Sequence, residues 1–355
     1  MAEASVKSSG HLVAVALAGA WRDVPPALEL DETKLEEIAP LLLKSGAAAL
    51  CWRRVGQSGL RDVPAAKELR QAYRRCALKN ALNQQTIERA IALLRSVEVE
   101  PILVKGWAAA RLYPEQGLRP YGDIDLCVRP EHFARAESAL ENVADVRPAV
   151  DLHCGFAKFG GGSVDAIYAR SRLAGLGETK VRVLSAEDHL RILSIHMLRE
   201  GAWRPLWLCD IATAIEARSA DFDWELCLTK NRRRADWVIC AMRLAQQLLG
   251  ASLDETPAAR LNRPLPRWLV PTILKEWESK VTSMSQRHTA PMGSFLRYPS
   301  GVLKGLRHRW PNPIEATVSM NGLFNELPRL PFQLGNCVAR TAKFAAHLPK
   351  LLREQ

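Results

Sequence analysis

No stretch of the 355-residue chain approaches the roughly 18 consecutive apolar residues that a membrane span requires. The longest early apolar run, Leu12 to Trp21, has only Lys7 as a preceding lysine and no small-residue cleavage site after it, so it reads as a helix and not as a secretory signal. No C-x-x-C pair occurs. Cys51, Cys76, Cys127, Cys154, Cys209, Cys227, Cys240 and Cys337 fall mostly in apolar stretches, which predicts reduced, buried thiols in a cytoplasmic protein and excludes a disulfide frame or a zinc site. A G-x-S-x-G elbow is missing, as is a Cys and His pair with supporting context, which argues against a nucleophilic hydrolase. The glycines of Phe159 to Ser163 are not followed by Gly-Lys-Ser/Thr, so they form no Walker loop and read as a flexible loop near a cleft. There is no internal repeat.

What is present is ordinary globular material, 48% apolar and 25% charged, long enough for two or three cores. The net charge of +11 is unevenly spread: from Arg260 onward fifteen Lys and Arg face five acidic residues. A basic tail suits RNA, a phosphorylated ligand or an acidic partner, and it equally suits a solvated surface. Residues 1–98 read as an N-terminal helical region, with Gly46 a helix stop and a long helical segment from Pro64 to Val97. Residues 99–184 change rhythm. Strands are predicted at Ile102–Val104, Tyr121–Arg129, Ala149–Phe156 and Lys180–Leu184, with short helices between them, as in an α/β or α+β sheet domain. Helices return over 185–250, with Ser185 as N-cap and Asp188 as its capping-box partner. Residues 251–355 carry many Pro and Trp and read as short helices and loops; tryptophans beside basic residues, as at Arg307 to Trp310, suit base stacking or a local core.

The chemistry concentrates in "YGDIDLCVR". Burying carboxylates is costly unless something compensates them. On a strand, residues two apart share a face, so Asp123 and Asp125 project together while Ile124 and Leu126 face the core. Two such carboxylates need a cation between them, and a hard divalent ion that takes oxygen ligands supplies it. A third strand-borne acid, Asp151, follows 26 residues after Asp125. One strand earlier, Lys105 and Gly106 form a turn suited to phosphate: the glycine permits close backbone approach and the lysine adds charge. The competing reading is a plain strand-to-helix turn. Arg119 suits either a triphosphate or local backbone. His153 shares a face with Asp151 and reads as an orienting neighbour. His196, mid-helix, is a core histidine or, with Arg204 and Asp210 in the "H…GAWRPLWLCD" pattern, part of a site.

The segments "LVKGWAAARLYPEQGLRPYGDIDLCV", "VDLHCGF" and "LSAEDHLRILSIHMLREGAWRPLWLCDIA" resemble the uncharacterised nucleotidyltransferase family of bacteria, within the DNA polymerase beta-like superfamily. The likeness is detailed from about Leu103 to Ala212 and loose over the basic C-terminal region. It implies an α+β fold, a small mixed sheet flanked by N-terminal and C-terminal helical regions, with Mg²⁺ (two ions) and a nucleoside triphosphate. It carries Asp123, Asp125 and Asp151 over as metal ligands. Where the superfamily commonly has Gly-Ser, this chain has Lys105-Gly106 followed by Trp107, so the phosphate grip differs.

The implied reaction moves a nucleoside monophosphate from an NTP to an acceptor and releases pyrophosphate. The acceptor stays open among a small molecule, a peptide or protein, and an RNA end; RNA binding has to weaken as salt rises. Two alternatives stand beside it: an inactive nucleotide- or partner-binding module on the same fold, and a toxin-like nucleotidyltransferase acting on tRNA.

Overall fold

The structure is a computed structural model that describes residues 8–141, 143–157, 162–261, 264–279 and 310–351. The glycine-rich loop expected at Phe159–Ser163 and the Arg307–Trp310 stretch lie largely outside them. Helices α1 (Ser9–Leu17), α2 (Glu32–Ser45), α3 (Ala48–Val55) and α4 (Pro64–Ser96) come first. Asp31 caps α2 by accepting from the Lys34 amide at 2.9 Å, and Gly46 ends it in the left-handed region at φ 76°. The 33 residues of α4 tie the molecule together. Its first turns, through Ala65, Ala66 and Leu69, join the large helical core. Its last turns, through Ile87, Ala90, Ile91 and Leu94 at helical spacing, pack on the sheet.

The sheet has five strands: β1 (Ile102–Leu103), β2 (Ile124–Val128), β3 (Val150–Cys154), β4 (Arg172–Leu176) and β5 (Thr179–Val183), in the order β3-β2-β1-β5-β4. It is mixed: β1 runs antiparallel to β2 and parallel to β5, and β2 runs parallel to β3. Between the strands come α5 (Trp107–Ala110), α6 (Phe133–Glu141) and α7 (Val164–Arg170). The alternation in β2 splits as its residues dictate. Ile124, Leu126 and Val128 enter the core shared with α4 and α6, while Cys127 faces a smaller core with Ile102, Phe156 and Ile167. Asp125 shares the Cys127 face. The hairpin strand β4 was not expected, because an edge strand with Leu173 exposed and only Leu176 buried shows little apolar alternation.

After the sheet come α8 (Ala186–Arg199), α9 (Pro205–Glu216), α10 (Trp224–Leu228), α11 (Arg232–Leu249), α12 (Pro257–Arg260) and α13 (Leu269–Glu278), then helices over Pro313–Ser319 and Leu330–Leu351. Ser185 caps α8 as expected, accepting from the Asp188 amide at 3.3 Å. The Asp188 carboxylate, however, is held by Arg170 and Arg191, so it is an ion-pair centre and not the reciprocal half of a capping box. The 22-residue Leu330–Leu351 helix replaces the short helices expected there; Pro331 lies in its first turn, where no amide is needed. Helices from before and after the sheet share one core, with Leu17, Ile38 and Leu50 beside Leu206, Ile211 and Ala241. No described helix is long and apolar enough to cross a membrane.

Gly106 marks the point where the chain turns from β1 towards α5. Its φ of 61° and ψ of −110° suit glycine, and a Cβ there would stand 3.2 Å from the Asp123 carbonyl oxygen. Gly106→Ala is expected to cost about 1–3 kcal/mol by adding backbone strain and pressing on the segment that carries Asp123. Urea denaturation checks this; an unchanged midpoint would show that the turn tolerates a side chain.

Candidate active site

The loop between α5 and β2 is held from behind by α4. Buried Asn80 donates from Nδ2 to the carbonyls of Gln116 (2.6 Å) and Arg119 (2.9 Å), and Asn83 donates to the Tyr121 carbonyl at 2.7 Å. Tyr121 returns a bond from its hydroxyl to the Asn80 carbonyl at 3.0 Å. These contacts fix the path into β2. The parallel register of β2 and β3 then sets Asp125 beside Asp151 and Cys127 beside His153.

The side chains converge. His153 Nε2 lies 3.0 Å from Oδ1 of Asp125 and 3.2 Å from Oδ2 of Asp151. Donor atoms of Asp125, Asp151 and His153 all fall within 4.8 Å of one another. Lys105 Nζ is 3.0 Å from the same Asp125 oxygen. Burial pushes the Asp125 carboxyl up, but the His153 hydrogen bond and the Lys105 charge outweigh it and hold the group below its ordinary range. Asp125 is therefore a buried carboxylate whose charged form its partners favour. Asp151 is exposed, with its side chain 55% accessible, so one carboxylate is anchored and its neighbour faces solvent.

The donor set fits a divalent cation. Two carboxylates and an imidazole offer three ligand atoms close enough to share one ion. With its proton on Nε2, His153 instead donates to both carboxylates and orients them. Asp123 precedes β2 and not within it, is exposed, lines the same cleft and stands outside this cluster.

The cleft measures about 460 Å³, within the range that takes a small-molecule ligand. Lys79, Lys105, Arg119 and Arg204 line it opposite Asp123, Asp125, Asp151 and Glu200 in charge, with Gly106 and His196 also on its wall. Arg119 is committed elsewhere: its Nε and Nη2 donate to Asp210 at 3.1 and 2.7 Å, and Tyr113 donates to the same carboxylate at 2.9 Å. Arg119 and Asp210 thus brace the loop, and neither guanidinium edge used on Asp210 is available for phosphate. Arg204 donates from Nε to the Ser45 carbonyl at 2.6 Å. Burial and the neighbouring Arg119 charge push it down to about 10, so an added anion would be favourable there.

His196 touches Trp207 edge to face, with centroids 4.9 Å apart. Burial, then the Lys105 charge, push its imidazole down to about 3; burial pushes His189 down to about 4. Both are neutral in the folded chain near pH 7. Below the unfolded value near 6.5 the unfolded chain takes up protons that the folded one refuses. Stability is therefore expected to fall from pH 6.5 towards 4, by about 1.4 kcal/mol per pH unit for each histidine. Urea midpoints at pH 7.5, 6 and 5 check this, and His189→Gln should flatten the slope.

Several cleft residues were not singled out from the sequence. Lys79 lies on α4, far from the motif, and nothing in its own surroundings marks it. Glu200 and Tyr121 are likewise visible only in three dimensions. Trp203 and Trp207 had a signal: their four-residue spacing around Arg204 in "WRPLW" puts two rings and a cation on one stretch.

Comparison with known proteins gives a family for the chain. No curated protein and no solved structure matches the chain. The family described as uncharacterised nucleotidyltransferase matches residues 31–148 and 149–250, more than half of the sequence, and its match takes in both acidic strands, the Lys105–Gly106 turn and helices α8 and α9. The chain belongs to the uncharacterised nucleotidyltransferase family.

Proposed function

We propose that the protein transfers a nucleoside monophosphate from an NTP to a hydroxyl-bearing acceptor, with Asp125 and Asp151 holding a divalent cation, Mg²⁺ in the first instance. The observation that carries this reading is the buried Asp125 set in register beside Asp151 on the wall of a cleft that Lys79, Lys105 and Arg204 also line. A metal bound there supplies Lewis-acid polarisation of the phosphate and lowers the pKa of the acceptor hydroxyl. His153 fixes the two carboxylates through Nε2. Asp123, on the rim, is a further carboxylate available for a second ion. Lys79, Lys105 and Arg204 hold the triphosphate, with Gly106 letting the backbone come close and Arg119 positioning the loop from behind. The acceptor oxygen attacks the α-phosphorus, the bond to the β-phosphate oxygen breaks, pyrophosphate leaves, and Asp151, facing solvent, takes the acceptor proton. The likeness to the polymerase beta-like superfamily rests on the same strand-borne acids.

One observation favours a second reading. Lys105 Nζ pairs with the very oxygen a metal would use, which suits a module that binds nucleotide without turnover. The test is pyrophosphate release from each NTP with Mg²⁺ or Mn²⁺ and cell extract as acceptor source, beside an Asp123→Ala/Asp125→Ala chain. Release confined to the intact chain supports the transferase. Nucleotide binding without release supports the module.

A further inference from the structure

The wall of the cleft formed by the α8–α9 link differs in kind from the charged wall. Trp203, Trp207 and His196 form a row of rings along it. Trp203 meets Trp207 with centroids 5.3 Å apart at 75°, and Trp207 meets His196 at 68°. Both are edge-to-face contacts, in which one ring presents its edge to the face of the next. Their neighbours Ala202, Leu206 and Leu208 are buried, while both indoles stay half-exposed to the cleft. A core pair would be covered like those neighbours.

The link is also held rigid. Gly201 and Ala202 both adopt positive φ, 76° and 55°. Trp277 donates from Nε1 to the Ala202 carbonyl at 2.9 Å, and Asn312 donates to the Gly201 carbonyl at 3.3 Å. Residues of the C-terminal quarter therefore fix the backbone that presents Trp203. Arg204, a cation on the same cleft wall, lies between the two tryptophans in the chain. A ligand held there by phosphate would have an aromatic face next to its charged end.

We propose that Trp203 and Trp207 form the platform on which the base of the NTP stacks, an inference that rests on the transferase reading. A planar π-system beside the triphosphate matches a row of half-open indoles, and stacking tolerates any base while favouring the larger purines. Trp203 and Trp207 are then binding residues for the nucleoside, and Lys79 and Arg204 for its phosphates.

Calorimetric binding of ATP, GTP, CTP, UTP and inorganic tripolyphosphate, each with Mn²⁺ and no acceptor, tests this. Trp203→Leu and Trp207→Leu are each expected to weaken the four nucleotides roughly 5- to 150-fold and leave tripolyphosphate unchanged. Trp203→Phe, which keeps a ring, should recover most of the loss and guards against misfolding as the cause. Lys79→Ala should weaken all five probes. Equal loss for nucleotides and tripolyphosphate, or no loss, overturns the platform alone. Failure of the intact chain to bind either kind of probe overturns the transferase reading and the platform with it.

Discussion

An Asp125→Asn chain is expected to fold normally and to lose at least about 10²–10³-fold of its pyrophosphate release. The change keeps the shape of the side chain and removes its charge. Asp125 is buried against His153 and Lys105, and the neighbouring Asp151 carboxylate is largely solvated, so the buried charge is not replaced. Lys105 has 19% of its side chain accessible and can turn to solvent, which keeps the structural cost small. Asp151→Asn should reduce release as well, with less effect on stability, because that carboxylate is already solvated. The measurement is release rate alongside urea midpoint for each chain. A large fall in midpoint for Asp125→Asn would mean that the residue serves the fold, and undiminished release would remove it from the chemistry.

The largest effect on stability is expected at Asp210. This carboxylate is 1% exposed and receives three hydrogen bonds, two from Arg119 and one from Tyr113. Asp210→Ala leaves the buried Arg119 guanidinium without its counter-charge, at a cost of about 3–5 kcal/mol. Burial alone would push Arg119 down, yet the Asp210 charge and hydrogen bonds more than offset that. The two partners are therefore strongly coupled, and a double change to apolar residues of similar size, Arg119→Met with Asp210→Leu, should be less harmful than Asp210→Ala. Urea unfolding of Asp210→Ala, the double variant and its two singles, Arg119→Met and Asp210→Leu, checks this. A double variant as unstable as the sum of its singles would show that the pair acts through other contacts.

The strands that bear Asp125 and Asp151 were legible because a charged residue within an apolar alternation is a strong local signal. So was the stop at Gly46, where one residue sets the conformation. What local pattern does not encode is register. Period-two alternation pairs Asp123 with Asp125, but β2 begins at Ile124, so Asp123 falls on the exposed rim. The alignment of β2 against β3 is what sets His153 between the two carboxylates. That alignment depends on packing of Leu126 and Val150 against α4 and α6, which no spacing within either strand reveals. Arg119 and Asp210 were marked separately, 91 residues apart, and their ion pair appears only once α9 docks beside the loop. The C-terminal tryptophans show the same limit: Trp277 acts on the cleft at one remove, through the carbonyl of Ala202.

The central claim is that Asp125 and Asp151 hold a divalent cation beside the triphosphate cleft. Electron paramagnetic resonance of Mn²⁺ titrated into the protein with a non-hydrolysable NTP analogue tests it without requiring an acceptor. Tight Mn²⁺ uptake that requires the nucleotide analogue and vanishes in Asp125→Asn is the expected result. Uptake that is absent from the intact chain, or unaffected by Asp125→Asn, would contradict the account.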